Sequence, residues 1–164
     1  MKITSLFLFS IGYNVETIKL HCHHFCHRHS HRATLWDCGG QPSLRPLWSY
    51  HFANTSLLLW LINIHDRSRF DLNLQLLSQL LTNRLLDRIP VLIVLYDHFF
   101  QDEQTATEEN KDNLLTNLEV AFRFLSTLST SRASTFKWQV ISIRSQTTDD
   151  LKKIRRAFVE LMDL

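Results

Sequence analysis

The sequence predicts an α/β fold with a mostly parallel sheet flanked by helices, and three observations carry that prediction. Continuous apolar runs of strand length stand at residues 56–64 and 90–96, the pattern of strands covered on both faces. Between and after them, leucines recur at three- and four-residue intervals, the period of a helix with one buried face. The two kinds of segment alternate along the chain, as they must where parallel strands are joined by crossovers.

Taken in order, residues 3–9 hold aromatic and β-branched side chains with no breaker and read as a strand. Residues 14–20 alternate polar with apolar and read as a half-exposed strand. Residues 33–37 read as its neighbour, ended by Cys38-Gly39-Gly40. The tract between them, His21-Cys22-His23-His24-Phe25-Cys26-His27-Arg28-His29-Ser30-His31, shows no clear period and reads as a loop. After the apolar run at 56–64, Leu72, Leu76, Leu77, Leu80 and Leu81 mark one helix face. After the run at 90–96, Leu114, Leu115, Leu118, Phe122 and Leu125 mark another. Residues 137–143 form the last strand, and Leu151, Ile154, Phe158, Val159 and Met162 line a terminal helix. Asp149 and Asp150 stand at the start of that helix, where negative charge meets unpaired backbone donors.

A chain of 164 residues, 45% apolar, with three glycines and three prolines, suits one folded domain over residues 1–164. The formal charge of +2, without a basic tract, points away from a nucleic-acid partner. Both apolar runs are too short to span a bilayer, position 2 is lysine where an acylation signal needs glycine, and no cysteine stands near Leu164. The expectation is a cytoplasmic protein without a direct membrane anchor. Three cysteines, Cys22, Cys26 and Cys38, favour thiols or a metal site over a disulfide framework.

The run Trp36-Asp37-Cys38-Gly39-Gly40-Gln41, followed by Leu44-Arg45-Pro46-Leu47-Trp48, resembles the switch II region of an ADP-ribosylation-factor-like (Arf-like) small GTPase. Upstream, Ser10-Ile11-Gly12-Tyr13-Asn14-Val15-Glu16-Thr17 is similar to that family's switch I. Downstream, Ile64-His65-Asp66-Arg67-Ser68-Arg69-Phe70 is similar to the segment after its fourth strand. The resemblance covers residues 10–164 and implies a small-GTPase fold of the P-loop NTPase type. That fold is incomplete: the family's first strand, phosphate loop and first helix are missing or replaced, with residues 3–9 available for the central strand's place.

The resemblance also implies roles. Ser10 matches the switch I hydroxyl that helps hold Mg²⁺, and Asp37 the switch II carboxylate that reaches Mg²⁺ through water. Gly40 matches the backbone donor to the γ-phosphate, and Gln41 the catalytic residue that orients the attacking water. A phosphate-binding loop needs Gly-x-x-x-x-Gly-Lys-Ser/Thr, because bare backbone donors and a lysine must surround the phosphates. The only glycines are Gly12, Gly39 and Gly40, and the sequence contains no Gly-Lys pair. The family's guanine-reading Asn-Lys-x-Asp falls on Tyr96-Asp97-His98-Phe99, with Asp97 as a shifted candidate. The family's effector surface is matched by Tyr13, Trp36 and, where tyrosine is usual, His51.

The expected function is a degenerate Arf-like domain that has lost GTP binding and acts as a protein-interaction module in vesicle trafficking or its regulation. Any enzymatic activity would be GTP hydrolysis. One alternative is a divergent GTP-binding protein, taking GTP or GDP with Mg²⁺. Another is a metal-binding domain in which His21, Cys22, Cys26 and His27 hold Zn²⁺, since thiolate and imidazole suit that ion. Cys38 reads as a small apolar filler where the family has valine.

Overall fold

The computed structural model describes residues 2–7, 12–24, 27–64, 66–96, 119–120, 123–124, 127, 137–143 and 148–162. Its strands are β1 (Lys2–Phe7), β2 (Tyr13–His24), β3 (His27–Gly39), β4 (Leu57–Asn63), β5 (Val91–Tyr96) and β6 (Trp138–Ile143). The helices are the short α1 (Trp48–Phe52), α2 (Arg67–Leu81) and α3 (Thr148–Leu161). The segment expected to be helical around Leu114–Leu125 lies largely outside the described residues. Positions 119–120, 123–124 and 127 within and just after it are helical.

The strands form one sheet in the order β2-β3-β1-β4-β5-β6. β1 runs parallel to both β3 and β4, and β4-β5-β6 continue parallel. Among the described strands only β2 is antiparallel, paired with β3. The expectation that an opening strand takes the central place is met by β1, which starts and ends within two residues of the expected segment.

Burial follows the pleat. In β4, Leu58, Trp60 and Ile62 enter the core under α1 and α2, with Val91, Ile93 and Leu95 of β5 beside them. Leu57 and Leu59, with Leu92 and Val94, face the other way, against Ala157, Phe158 and Leu161 of α3. Alternate side chains therefore feed two cores, which is why both segments read as continuously apolar. Each fully buried leucine contributes about 1.5–3 kcal/mol relative to exposure. α2 supplies Phe70, Leu74, Leu77 and Leu81 at helical spacing. α3 carries Asp149 and Asp150 in its first turn, paired with Lys152 and Lys153 one turn on.

One segment departs from expectation. The histidine-cysteine tract is a continuation of β2 and β3, in a ladder that runs without a break from Tyr13↔Cys38 to His24↔His27. Backbone pairing across two strands needs no apolar alternation, so a tract without an apolar period still extends the hairpin. Lys2 of β1 is level with Thr34, so residues 27–33 project past it by roughly 20 Å. The hairpin thus leaves the sheet at the end opposite Gly39.

Candidate functional site

The C-terminal ends of β1 and β3 and the start of β2 meet at one edge of the fold: Phe7 is level with Gly39, and Tyr13 with Cys38. In open α/β sheets this is the end at which ligands bind. Here β3 breaks off into Gly39, Gly40 and Gln41, and the loop is fixed from below. The buried Trp48 donates from Nε1 to the Gly39 carbonyl at 2.9 Å. Arg45 donates from Nε to the Gly40 carbonyl at 2.9 Å. The amides of Leu44 and Arg45 both donate to the Gln41 carbonyl. The Arg-Pro-Leu-Trp run is therefore a clamp on the glycine pair: its proline starts a 3₁₀ turn, and α1 then delivers Trp48 inward.

The clamp continues into the core. Trp48 meets Trp60 edge to face, with ring centroids 5.9 Å apart and planes at 89°. Trp60 in turn donates from Nε1 to Oδ1 of buried Asn73 on α2 at 2.6 Å. A path of indoles and hydrogen bonds joins the glycine loop to α2. In the sequence Trp48 is legible only as part of a motif, and the one signal for Asn73 is a polar residue among the leucines of α2.

Three aromatic rings meet beside this loop. Tyr13 stacks against Trp36 at 6.5 Å between centroids, His51 lies 5.4 Å from Trp36, and Tyr13 and His51 are 6.1 Å apart. Tyr13 is 69% exposed, while Trp36 and His51 are half-buried. Val15, directly opposite Trp36 in the ladder, is exposed as well, and so is Tyr50 next to His51. Tyr13, Trp36 and His51 thus stand together beside the glycine loop.

The nucleotide candidates are placed unevenly. Asp37 is half-buried, Gly40 buried and Gln41 exposed, in that order along the strand end. Ser10 and Asp97 lie outside the described residues. Between β1 and β2 the chain has only residues 8–12 to cross two strand spacings, about 10 Å, over the end of β3. Five residues separate the end of β1 from the start of β2, fewer than the eight of a phosphate-loop motif. The Gly39 amide, at the mouth of the site, already donates to the Gly12 carbonyl at 2.7 Å.

Cys38 is buried in the core with its thiol directed to the Trp36 carbonyl at 3.9 Å, in keeping with a filler. Of the expected zinc ligands, Cys26 lies outside the described residues. His21, Cys22 and His27 stand in the β2-β3 ladder, and their side chains lie outside what the structure describes. Among the described residues no helix is long and apolar enough to cross a membrane. A shallow groove lined by Asp71, Leu74, Gln75, Ser78, Gln79 and Phe124 is built on α2 and not on the strand ends.

Residues 7–160 match the family model described as the ADP-ribosylation factor family. The chain is similar to ADP-ribosylation factor-like protein 3 of Caenorhabditis elegans, 34% identical over 110 residues. That alignment covers 66% of this chain and 54% of the relative. It is also similar to the E3 ubiquitin-protein ligase arc-1 of the same organism, 28% identical over 110 residues, 67% of this chain and 18% of that protein. The matched stretch is thus about half the length of the first relative and under a fifth of the second.

Proposed function

Because the chain belongs to the ADP-ribosylation factor family, we propose that it acts as a protein-interaction module in vesicle trafficking or its regulation, engaging partners independently of nucleotide. The observation that carries this reading is the joined surface of Tyr13, Trp36 and His51 on a loop held rigid from beneath. Aromatic side chains bring large contact area at low entropic cost and are the residues that dominate protein interfaces. The clamp is built from the chain's own side chains. The short crossing between β1 and β2 supports the nucleotide-independent part of the reading.

A second reading, a divergent GTP-binding protein, draws on Asp37, Gly40 and Gln41 standing in order at the strand end. Calorimetric titration of the folded chain with GTP and GDP, with Mg²⁺ present and Gln41→Leu alongside, separates the two. The proposal expects no binding heat. Micromolar or tighter affinity overturns it and makes Gln41 the catalytic candidate for GTP hydrolysis. The surface is tested by proximity labelling in cells with the wild-type chain and with Trp36→Ala. Trp36→Ala should lose the labelled partners, with circular dichroism confirming that the chain stays folded, since Trp36 also packs against the core; an unchanged partner set refutes the assigned surface.

A further inference from the structure

The face of the β2-β3 hairpin that carries the aromatic rings continues beyond them, and its character changes from aromatic to basic. Trp36 and Cys38 pack with the core under α1 and α2, whereas Ile18, Ala33 and Leu35 pack with the core against α3. Alternate residues thus sort onto two faces. On the first face, Tyr13↔Cys38 and Val15↔Trp36 are followed by Thr17↔Thr34 and then by Lys19↔Arg32. Tyr13, Val15, Thr17, Lys19 and Arg32 are exposed, and Thr34 and Trp36 half-buried. The carboxylates within residues 13–19 and 32–38 are Glu16 and Asp37, and both stand on the opposite face. There Glu16 accepts from Nδ2 of Asn14 at 3.0 Å. Residues 45–52, beside the rings, carry no carboxylate either.

We propose that this strip docks an acidic segment of a partner protein, a reading that rests on the interaction surface proposed above. Apolar side chains of the segment would cover Tyr13, Val15 and Trp36, and its carboxylates would meet Lys19 and Arg32. Charge complementarity carries the choice of occupant. Lys19 and Arg32 are directly opposed in the ladder, with Cβ atoms about 5 Å apart, and like charges so placed destabilise a sheet. Neither makes an ion pair with a described residue, whereas Lys152, Lys153 and Arg156 of α3 each meet a carboxylate of their own helix. A carboxylate brought between the two cations turns one repulsion into two attractions. Lys19 is four residues from Val15, and Arg32 four from Trp36, about 13 Å in each case. The segment therefore carries its carboxylates about four residues from its apolar anchor if extended, or about nine if helical. An anionic membrane is a poorer occupant, because two cations contribute only about 2 kcal/mol there, short of stable anchoring.

The test is selection of a random peptide library against the folded full chain, followed by fluorescence anisotropy with synthetic forms of the recovered sequences. These should pair aromatic or aliphatic residues with acidic ones at one of those spacings, and their affinity should fall as salt is added. Lys19→Glu places opposite charges across the ladder, so it should hold or raise the melting temperature while weakening the peptides about tenfold. Arg32→Gln, which removes a charge without adding one, should weaken them in the same sense. Lys152→Glu on α3, outside the strip, should leave affinity within about threefold. Peptides that need Trp36 but lack acidic residues, or that bind Lys19→Glu as tightly as the wild type, overturn the proposal and leave the interaction surface standing. Peptides indifferent to Trp36→Ala as well overturn both. Binding to phosphatidylserine vesicles that is tighter than to any peptide and is lost in Lys19→Glu overturns it in favour of a lipid surface.

Discussion

Replacing Trp48 by phenylalanine tests whether the glycine loop is held from inside the protein. The indole is 4% exposed, and its only polar atom is committed to the Gly39 carbonyl at 2.9 Å. Phenylalanine keeps a ring against Trp60 but removes the donor, leaving a buried carbonyl without that bond, at a cost of about 1–3 kcal/mol. The missing ring atoms leave a small void, adding about 1 kcal/mol where the surroundings relax only partly. The sum, about 2–4 kcal/mol, is a large fraction of the ~5–15 kcal/mol that holds an ordinary domain together. At about 2–4 °C per kcal/mol for a chain of this size, the melting temperature should fall by roughly 5–15 °C. Urea unfolding followed by circular dichroism should show a lower midpoint with an unchanged slope, because the unfolded state exposes the same surface. A loss below about 0.5 kcal/mol would refute the clamp, since it would mean that the carbonyl is as well served by water.

Two further perturbations probe other features. Arg88 holds a left-handed backbone at φ 63°, which costs an ordinary residue about 1–2 kcal/mol. Glycine relieves that strain and loses about 0.5–1 kcal/mol to chain entropy, so Arg88→Gly should raise the urea midpoint slightly, and a lower midpoint counts against the assignment. Arg156 and, secondarily, Gln139 hold the exposed Glu160 carboxyl below the ordinary glutamate value. A depressed folded value means that the stabilisation is present above the unfolded value and disappears as pH falls through the folded one. Glu160→Gln should therefore flatten the acid side of the stability–pH profile in low salt and change nothing in high salt, where the exposed pair is screened. A difference that persists at high salt would point to another cause.

The parts of the fold legible in the sequence are those where hydrophobic burial writes the pattern. β4 and β5 are buried on both faces and read as unbroken apolar runs, and α2 declares itself through its leucine period. The hairpin was not legible in the same way, because histidine marks neither an inside nor an outside. The ladder from Leu20↔His31 to His24↔His27 is carried by backbone pairing, which leaves no apolar period in the sequence. α1 escaped for another reason: five residues do not complete two helical turns, so no period can be read from Trp48 to Phe52. At the candidate site, the resemblance named Tyr13, Trp36 and His51 together, and their rings lie within 6.5 Å of one another. The clamp depends on buried donors meeting particular carbonyls, and a one-dimensional pattern carries no such distances.

The place of β1 has a consequence for how the protein is made. Among the described strands, the β2-β3 hairpin and the β4-β5-β6 half are joined through β1, which precedes them all in the sequence. The hairpin closes on its own residues within microseconds once it is free. Lys2 must wait for Thr34, and Ile3 for Leu57. At about 5–20 residues per second of synthesis, β1 spends roughly 3–11 seconds as a strand without its second neighbour. In that interval both halves offer unsatisfied backbone to any extended chain nearby. Yield in the cell should therefore respond to translation speed and chaperone supply more sharply than the equilibrium stability alone would suggest.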